Sequence, residues 1–433
     1  MSYKINQVIP NNISVVIIQS CSQSLAEKVI SWALTKQIRV VFMPPHIDKK
    51  YLIDIKKHLG NYILIYQDTN DNFLCEINHI NYACTDLFDK NPIPITLEHT
   101  RKLWPKEKVA FVTFTSGSIG LPKAVCHSFG NVIYSVKYFL NSLNIKPNDK
   151  VLTFAPLDTI GGLKFLIISL FKLAQSTIGN IQQPHDWLTI LNQIQPDFVL
   201  CSPKFIELAI EYEKLFQMIP QAKIYFSGGS HLSQILKHSF EEKFQTKIIN
   251  GYGTTETCGS FIIDKTGDGF STNSDQLLDM NLKSLSDTNS VFKLSIQTKS
   301  NFLCYLGENI QTNRYYHTGD IIKKNNQKIV FVGRSNRAFK SKDGLAFLQP
   351  EILEQYLCNQ AEINDAYVTS NVDTSLAPYT CYISSNTKIN MKQLKKDIIS
   401  SIDKSYAQLN FLPAKIIRNT MGKLQTIQET ADI

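Results

Sequence analysis

The first 67 residues alternate strand-like and helix-like runs with almost no break, and this rhythm limits the fold more than any other feature. ISVVIIQ (13–19), IRVVFMP (38–44) and YILIYQ (62–67) are short, apolar and rich in β-branched residues. Between them, SLAEKVISWALTK (24–36) and DKKYLIDIKKHLG (48–60) carry apolar residues at helical spacing. Apolar strands separated by amphipathic helices specify a parallel sheet with helices on both faces. The same rhythm resumes in VLTFAPL (151–157), DFVLCSP (197–203), AKIYFSGG (222–229) and KIINGYG (247–253), separated by helix-like runs. Each of these strands ends in small or turn residues, and ligands on such sheets sit beyond the carboxyl ends of the strands.

Beyond Thr257 the character changes. Residues 265–290 read as a polar loop, and VFKLSIQTK (291–299) and KIVFVG (328–333) as antiparallel strands of a small β-rich subdomain. From Arg334 onward, helix-like and strand-like runs make a mixed segment of about a hundred residues, the size of a small domain. The expected architecture is therefore α/β. Residues 1–335 form a large N-terminal domain of parallel-type sheets flanked by helices, and residues 336–433 a small α+β C-terminal domain.

Composition narrows the function. The net charge of +8 comes from lysines scattered along the chain, whereas a nucleic-acid groove needs basic residues clustered and interleaved with aromatics. Nine cysteines include no CxxC pair, and the nine histidines show no metal-ligand spacing with them. Free thiols in a reducing cytoplasm fit this usage. The N-terminus lacks the basic-then-apolar build of a signal peptide. The apolar run GLKFLIISLFKLA (162–174) contains Lys164 and Lys172 and is too short to span a bilayer, so it reads as a core helix. The expectation is a cytoplasmic chain without a membrane span or a nucleic-acid partner.

TFTSGSIGLPKAV (113–125) concentrates hydroxyls and glycines ahead of a lysine. A Walker A loop needs G-x4-G-K-[ST]; here Pro122 precedes Lys123 and Ala124 follows it, so that reading fails, as does G-x-G-x-x-G. What remains is four hydroxyls (Thr113, Thr115, Ser116, Ser118), two glycines (Gly117, Gly120) and one cation. These suit a polyphosphate clamp. Taken alone, they equally suit a strand-to-helix turn of small residues.

Five further segments follow in order: YFSGG (225–229), NGYGTTET (250–257), YHTGD (316–320), VGRSNRAFKSKDG (332–344) and NTMGKLQ (419–425). Together with TSGSIGLPK they resemble the adenylate-forming enzymes: acyl- and aryl-CoA synthetases, adenylation domains of peptide synthetases, and luciferases. The run TSGSIGLPKAVCHS is most similar to the small ligases of the o-succinylbenzoate–CoA ligase type. The resemblance covers the chain from about Val109 to the C-terminus.

The resemblance implies a carboxylate attacking the α-phosphate of ATP, pyrophosphate release, and transfer of the acyl group to a thiol. Thr115, Ser116, Gly117, Ser118, Gly120 and Lys123 would hold the β- and γ-phosphates. Thr255 would bond the α-phosphate and Glu256 would bind Mg2+. Gly228, Gly229 and Tyr252 would form the adenine slot, and Gly253 and Thr254 would also contribute to ATP binding; Asp320 would accept from the ribose hydroxyls, with Arg334 assisting at the ribose or phosphate. Lys423 would neutralise charge during adenylation. The C-terminal domain would be mobile, turning about a hinge at Asn336 to bring the loop around Gly344 to a pantetheine tunnel.

Thr159, Gly161, Ser230 and Cys258, with Thr254, would line the acid pocket. Relatives often carry a histidine or aromatic where Asp158 and Thr159 stand, and an aspartate or lysine where Asn336 stands. The implied cofactors are ATP, Mg2+ and CoA, or the phosphopantetheine of a carrier protein. A non-catalytic nucleotide-binding relative is the alternative from another class.

Overall fold

The computed structural model describes the chain apart from residues 1–8, 11, 46, 48, 69–71, 78–79, 89–92, 116–121, 180–185, 217–221, 231, 233, 286–290, 336, 338, 341–346, 349, 359, 361, 371–378, 386, 402–408, 419–423 and 431–433. Its first sheet has eight strands, in the spatial order Cys304–Tyr305, Ala124–Ser128, Val109–Phe114, Arg39–Phe42, Val15–Ile18, Tyr62–Gln67, Phe73–Ile77 and Ile80–Ala83. The four central strands pair in parallel, as the strand–helix alternation requires. Both flanks are antiparallel. The second sheet runs Gly259–Asp264, Lys247–Thr254, Ile224–Ser227, Phe198–Cys201, Lys150–Thr153 and Gln175–Ile178. It is parallel except at its first pair.

Helices Gln23–Thr35, Phe129–Ser142 and Ile160–Leu170 share one apolar core with strand residues of both sheets, among them Val16, Phe42, Val151, Phe226 and Ile249. A helix packed between two sheets must be apolar on all sides. Ile160–Leu170 satisfies this, since Gly162 to Ile168 are all buried. Lys164 is the exception within it. Its ammonium lies 5.4 Å from the Phe139 ring centroid, and burial lowers its pKa to about 8. The three helices begin where the sequence supplies N-caps: Ser22, Ser128 and Thr159 each accept the backbone N–H of the third helical residue.

The third sheet is antiparallel, ordered Phe270–Ser271, Lys328–Arg334, Tyr316–Asn325, Val291–Thr298 and Leu277–Ser284. It corrects the reading of 265–290 as loop. Leu277, Met280 and Leu282 pack on the subdomain core, while Asp279, Asn281 and Lys283 face outward. A two-residue register irregularity between Leu277 and Asp279 breaks the alternation that marks a half-buried strand. The C-terminal segment holds a four-stranded sheet, Ile363–Ser370, Tyr379–Ser385, Leu409–Arg418 and Leu424–Glu429, with helices Pro350–Cys358 and Met391–Ser401. It closes around its own core of Leu353, Leu357, Val368, Ile383 and Ile398. All nine cysteines are free thiols. Among the described residues no helix is long and apolar enough to cross a membrane.

One buried group makes this core acid-sensitive. His127 is fully enclosed, its Nε2 lies 3.3 Å from Thr113 Oγ1, and its Nδ1 has no partner. Burial lowers its pKa from 6.5 to about 3, so it stays neutral in the fold while an unfolded chain protonates it near 6.5. Between these values the unfolded state binds the extra proton, and stability is lost as pH falls. The expected loss between pH 7 and pH 5 is about 2 kcal/mol. Denaturant titrations at both pH values should show that loss in the wild type, and a drop smaller by that amount in His127→Leu.

Candidate active site

The hydroxyl- and glycine-rich stretch joins two antiparallel strands, Val109–Phe114 and Ala124–Ser128, so it is a hairpin connection and not a strand-to-helix turn. Its mouth is closed by a reciprocal pair: the Thr115 N–H donates to Lys123 O at 3.0 Å, and the Lys123 N–H to Thr115 Oγ1 at 2.9 Å. The Tyr51 hydroxyl, from helix Lys49–Lys57, donates to Pro122 O. Ser116, Gly117, Ser118 and Gly120 lie outside the described residues, as do Asn336, Gly344 and Lys423. A cleft of about 330 Å3 opens beside Lys123, lined also by Tyr51, His58, Tyr305 and Glu308. A larger one of about 730 Å3, between helix Phe129–Ser142 and residues 263–276, contains none of the residues singled out from the sequence.

NGYGTTET ends the strand Lys247–Thr254 and turns back into Gly259–Asp264. Its glycines are sterically required. A Cβ on Gly253 would lie 2.1 Å from Gly259 O, and one on Gly251 2.3 Å from the Phe226 ring. The turn between is locked by Thr257, whose Oγ1 accepts from the Thr254 N–H at 2.9 Å and donates to Gly259 O at 2.8 Å. The Cys258 N–H closes on Thr255 O at 3.0 Å. This leaves Glu256 buried at 6% exposure. Its Oε1 accepts from the Tyr305 hydroxyl at 2.9 Å, and among the described residues no ion pair joins it to a lysine, arginine or histidine. A buried carboxylate without a cation is costly.

A second carboxylate lies nearby. Asp320, 1% exposed, accepts from the Tyr252 hydroxyl and pairs with Arg334, whose Nε is 2.7 Å from Oδ1. Asp320 and Arg334 face each other across adjacent antiparallel strands. Oδ1 is buried and receives no aligned hydrogen bond, so its contact with Arg334 is an ion pair. Burial pushes the Asp320 pKa up, Arg334 and the Tyr252 hydroxyl pull it down, and the charge of Glu256 adds a further upward push. That last influence puts the two acids in one electrostatic site. Burial raises the Tyr252 phenol well above its ordinary range, with Asp320 adding to it, so Tyr252 remains a donor.

The remaining positions divide. Gly228 and Gly229 follow the strand Ile224–Ser227, which runs parallel beside Lys247–Thr254, and Gly229 has φ +89°, which only glycine adopts readily. The Tyr252 ring meets Phe261 and Phe270 at centroid distances of 5.4 and 5.5 Å. Thr159 is occupied as an N-cap, accepting from the Gly162 N–H at 3.2 Å and donating to Pro156 O at 2.7 Å. Gly161 packs where a Cβ would meet Ala155 at 2.8 Å. Cys258 is fully buried in the first core, its carbonyl accepting from Ser135, while Ser230 is half-buried.

The structure adds two residues that no motif marked, and gives a role to a third that opens YHTGD. Tyr305 touches both Lys123 and Glu256, the Phe302 N–H donates to Glu256 O at 2.7 Å, and Tyr316, from YHTGD, stands by Glu256 and Thr254. Only the aromatic character of NFLCYLGE could have drawn notice to the first two.

This site belongs to a known group of proteins. The 2-succinylbenzoate–CoA ligase of Staphylococcus epidermidis is 23% identical over 344 residues, covering 74% of this chain and 69% of that protein. The medium-chain fatty-acid–CoA ligase of Escherichia coli K12 is 21% identical over 350 residues, covering 76% and 62%. Among solved structures, O-succinylbenzoate coenzyme A synthetase from Bacillus subtilis in complex with ATP and magnesium ion superposes with a TM-score of 0.73 at 16% identity, covering 98% of this chain and 90% of that one. The family model described as AMP-binding enzyme matches residues 15–278. The chain belongs to the AMP-binding enzyme family.

Proposed function

We propose that this chain is an AMP-forming acid–thiol ligase: it joins a carboxylic acid to the α-phosphate of ATP, expels pyrophosphate, and passes the acyl group to the thiol of CoA. The observation that carries this reading is Glu256, a buried carboxylate lacking a cationic partner among the described residues, in the same electrostatic site as Asp320 and beside the hairpin that bears Lys123. A hard divalent cation fits Glu256, because magnesium prefers carboxylate and phosphate oxygens and takes few protein ligands when a triphosphate supplies the others. When bound, Mg2+ would offset the charge that gathers on the leaving phosphates.

The chain's own groups divide the remaining work. Lys123 and the hairpin amides would hold the β- and γ-phosphates, and Thr255 the α-phosphate. Asp320 would accept a ribose hydroxyl, a role suited to an acid side chain already oriented by Tyr252 and Arg334. Lys423 would supply charge during adenylation. The hinge near Asn336 would then exchange it for the loop around Gly344. Arg337, just past that hinge, is tied to Glu351 and Glu354 and to the Val368 carbonyl, so motion there would carry the C-terminal segment as one piece.

The test is ATP–pyrophosphate exchange over aliphatic, aromatic and amino acids, followed by thioester formation with CoA and, separately, with a phosphopantetheinylated carrier protein. Exchange that depends on one class of acid and on Mg2+, then an acyl-CoA product, is expected. Thioester on the carrier alone would move the acceptor assignment, and exchange with no acid would overturn the ligase reading.

A further inference from the structure

Residues 300–306 run between the two halves of the site and bind both. On one side, Ser300 Oγ donates to Thr257 O at 2.9 Å and the Phe302 N–H to Glu256 O at 2.7 Å. On the other, the Leu303 N–H donates to Cys126 O at 2.8 Å and the Leu306 N–H to Ala124 O at 2.9 Å. The two-residue strand Cys304–Tyr305 thereby becomes the edge of the first sheet, with Tyr305 opposite Val125, two residues past Lys123. Packing holds this strap from behind. The Phe302 and Tyr305 rings are 4.9 Å apart, and the Arg314 guanidinium sits 4.2 Å from the Phe302 centroid.

Tyr305 is where the two sides meet. Its hydroxyl donates to Glu256 Oε1 at 2.9 Å, and Lys123 Nζ stands 5.0 Å from the centre of its ring. One side chain thus restrains the candidate metal carboxylate through its polar end and the candidate phosphate lysine through its π face. The ring gives Lys123 a weak partner, and such a cation–π contact leaves the ammonium charge available for an anion.

We propose that Tyr305 is a positioning residue that sets Glu256 and Lys123 for the metal–triphosphate complex, a role that rests on the ligase reading above. Groups that orient a metal ligand without touching the metal typically change metal affinity by 10–100-fold. Tyr305→Phe removes the hydrogen bond and keeps the ring. Tyr305→Leu removes both.

The experiment measures ATP binding calorimetrically across a Mg2+ titration with no acid present, so that nothing turns over, and then ATP–pyrophosphate exchange with an accepted acid. Tyr305→Phe should need about tenfold more Mg2+ for half-maximal ATP binding and for exchange, with the exchange rate returning towards wild type at saturating Mg2+. Tyr305→Leu should add about a tenfold rise in the KM for ATP that Mg2+ does not correct, because the lysine has lost its support. Unchanged Mg2+ dependence in Tyr305→Phe would overturn the proposal. So would a uniform fall in all parameters that tracks a lowered melting temperature and resists Mg2+, since that is the mark of a merely structural residue. A wild type that binds Mg2+ and ATP yet exchanges with no acid would defeat the ligase reading while leaving the binding test of Tyr305 in force. A wild type that binds neither would remove both.

Discussion

Glu256→Gln is expected to make the protein more stable and nearly inactive at once. The carboxylate is 6% exposed and, among the described residues, has no cationic partner; the Tyr305 hydroxyl donates to its Oε1. Glutamine keeps that acceptor and the side-chain volume while removing a buried charge, so the unliganded fold should gain about 1 kcal/mol or more. For a domain of this size that corresponds to a rise in melting temperature of about 1–2 °C. Adenylation moves the other way. An amide offers magnesium a neutral, weaker oxygen, and ATP–pyrophosphate exchange should fall by roughly 10²–10³-fold, the usual cost of deleting one preorganised electrostatic element. The added melting shift that Mg2+ and ATP give the wild type should shrink in parallel, since ligand stabilisation follows affinity. A variant that melts no higher and still exchanges would show that Glu256 is an ordinary buried acid.

The opposing signs in that prediction come from a conflict the sequence shows only in part. Chemistry at the ends of strands was readable. YGTTE was picked out by resemblance, and the contacts that fix its turn are local: Gly253 lies against Gly259, and Thr257 locks onto Thr254. The parallel centre of the first sheet was readable for the same reason, because helix and strand periods are local properties. Partners brought in from afar were not. Tyr305 is 49 positions from Glu256, and Asp320 is 68 from Tyr252. No spacing rule links such pairs, and a tyrosine in an apolar run reads first as core.

The antiparallel additions were hidden for a related reason. Cys304–Tyr305 is too short to carry a period, and Leu277–Ser284 carries one broken by its register irregularity. The acid pocket was the least legible region. Thr159 was singled out by its place in the chain, yet its hydroxyl is engaged at both lone pair and proton in starting a helix. Hydroxyls ahead of helices cap them as a rule, and that local demand competes with any role in binding.

Lys423→Ala should separate the two halves of the reaction. Exchange of ATP with pyrophosphate is expected to fall by roughly 10²–10³-fold, while conversion of a supplied acyl-adenylate to acyl-CoA stays within a few-fold of wild type. The first step concentrates negative charge at the α-phosphorus, where one well-placed ammonium counts most. The second forms the thioester C–S bond and breaks the acyl C–O bond, releasing AMP with no bond made or broken at phosphorus. Lys423 lies outside the described residues, but its mounting does not. It immediately precedes the strand Leu424–Glu429, whose antiparallel partner ends with Arg418 opposite Leu424. Arg418 is clamped by Asp365 through two bonds, Nε at 2.6 Å and the terminal nitrogen at 2.8 Å. The lysine would therefore enter and leave the site chiefly by movement of the C-terminal segment as a body. Loss of both half-reactions in equal measure would mean that Lys423 serves that segment's fold, and that the charge for adenylation comes from elsewhere.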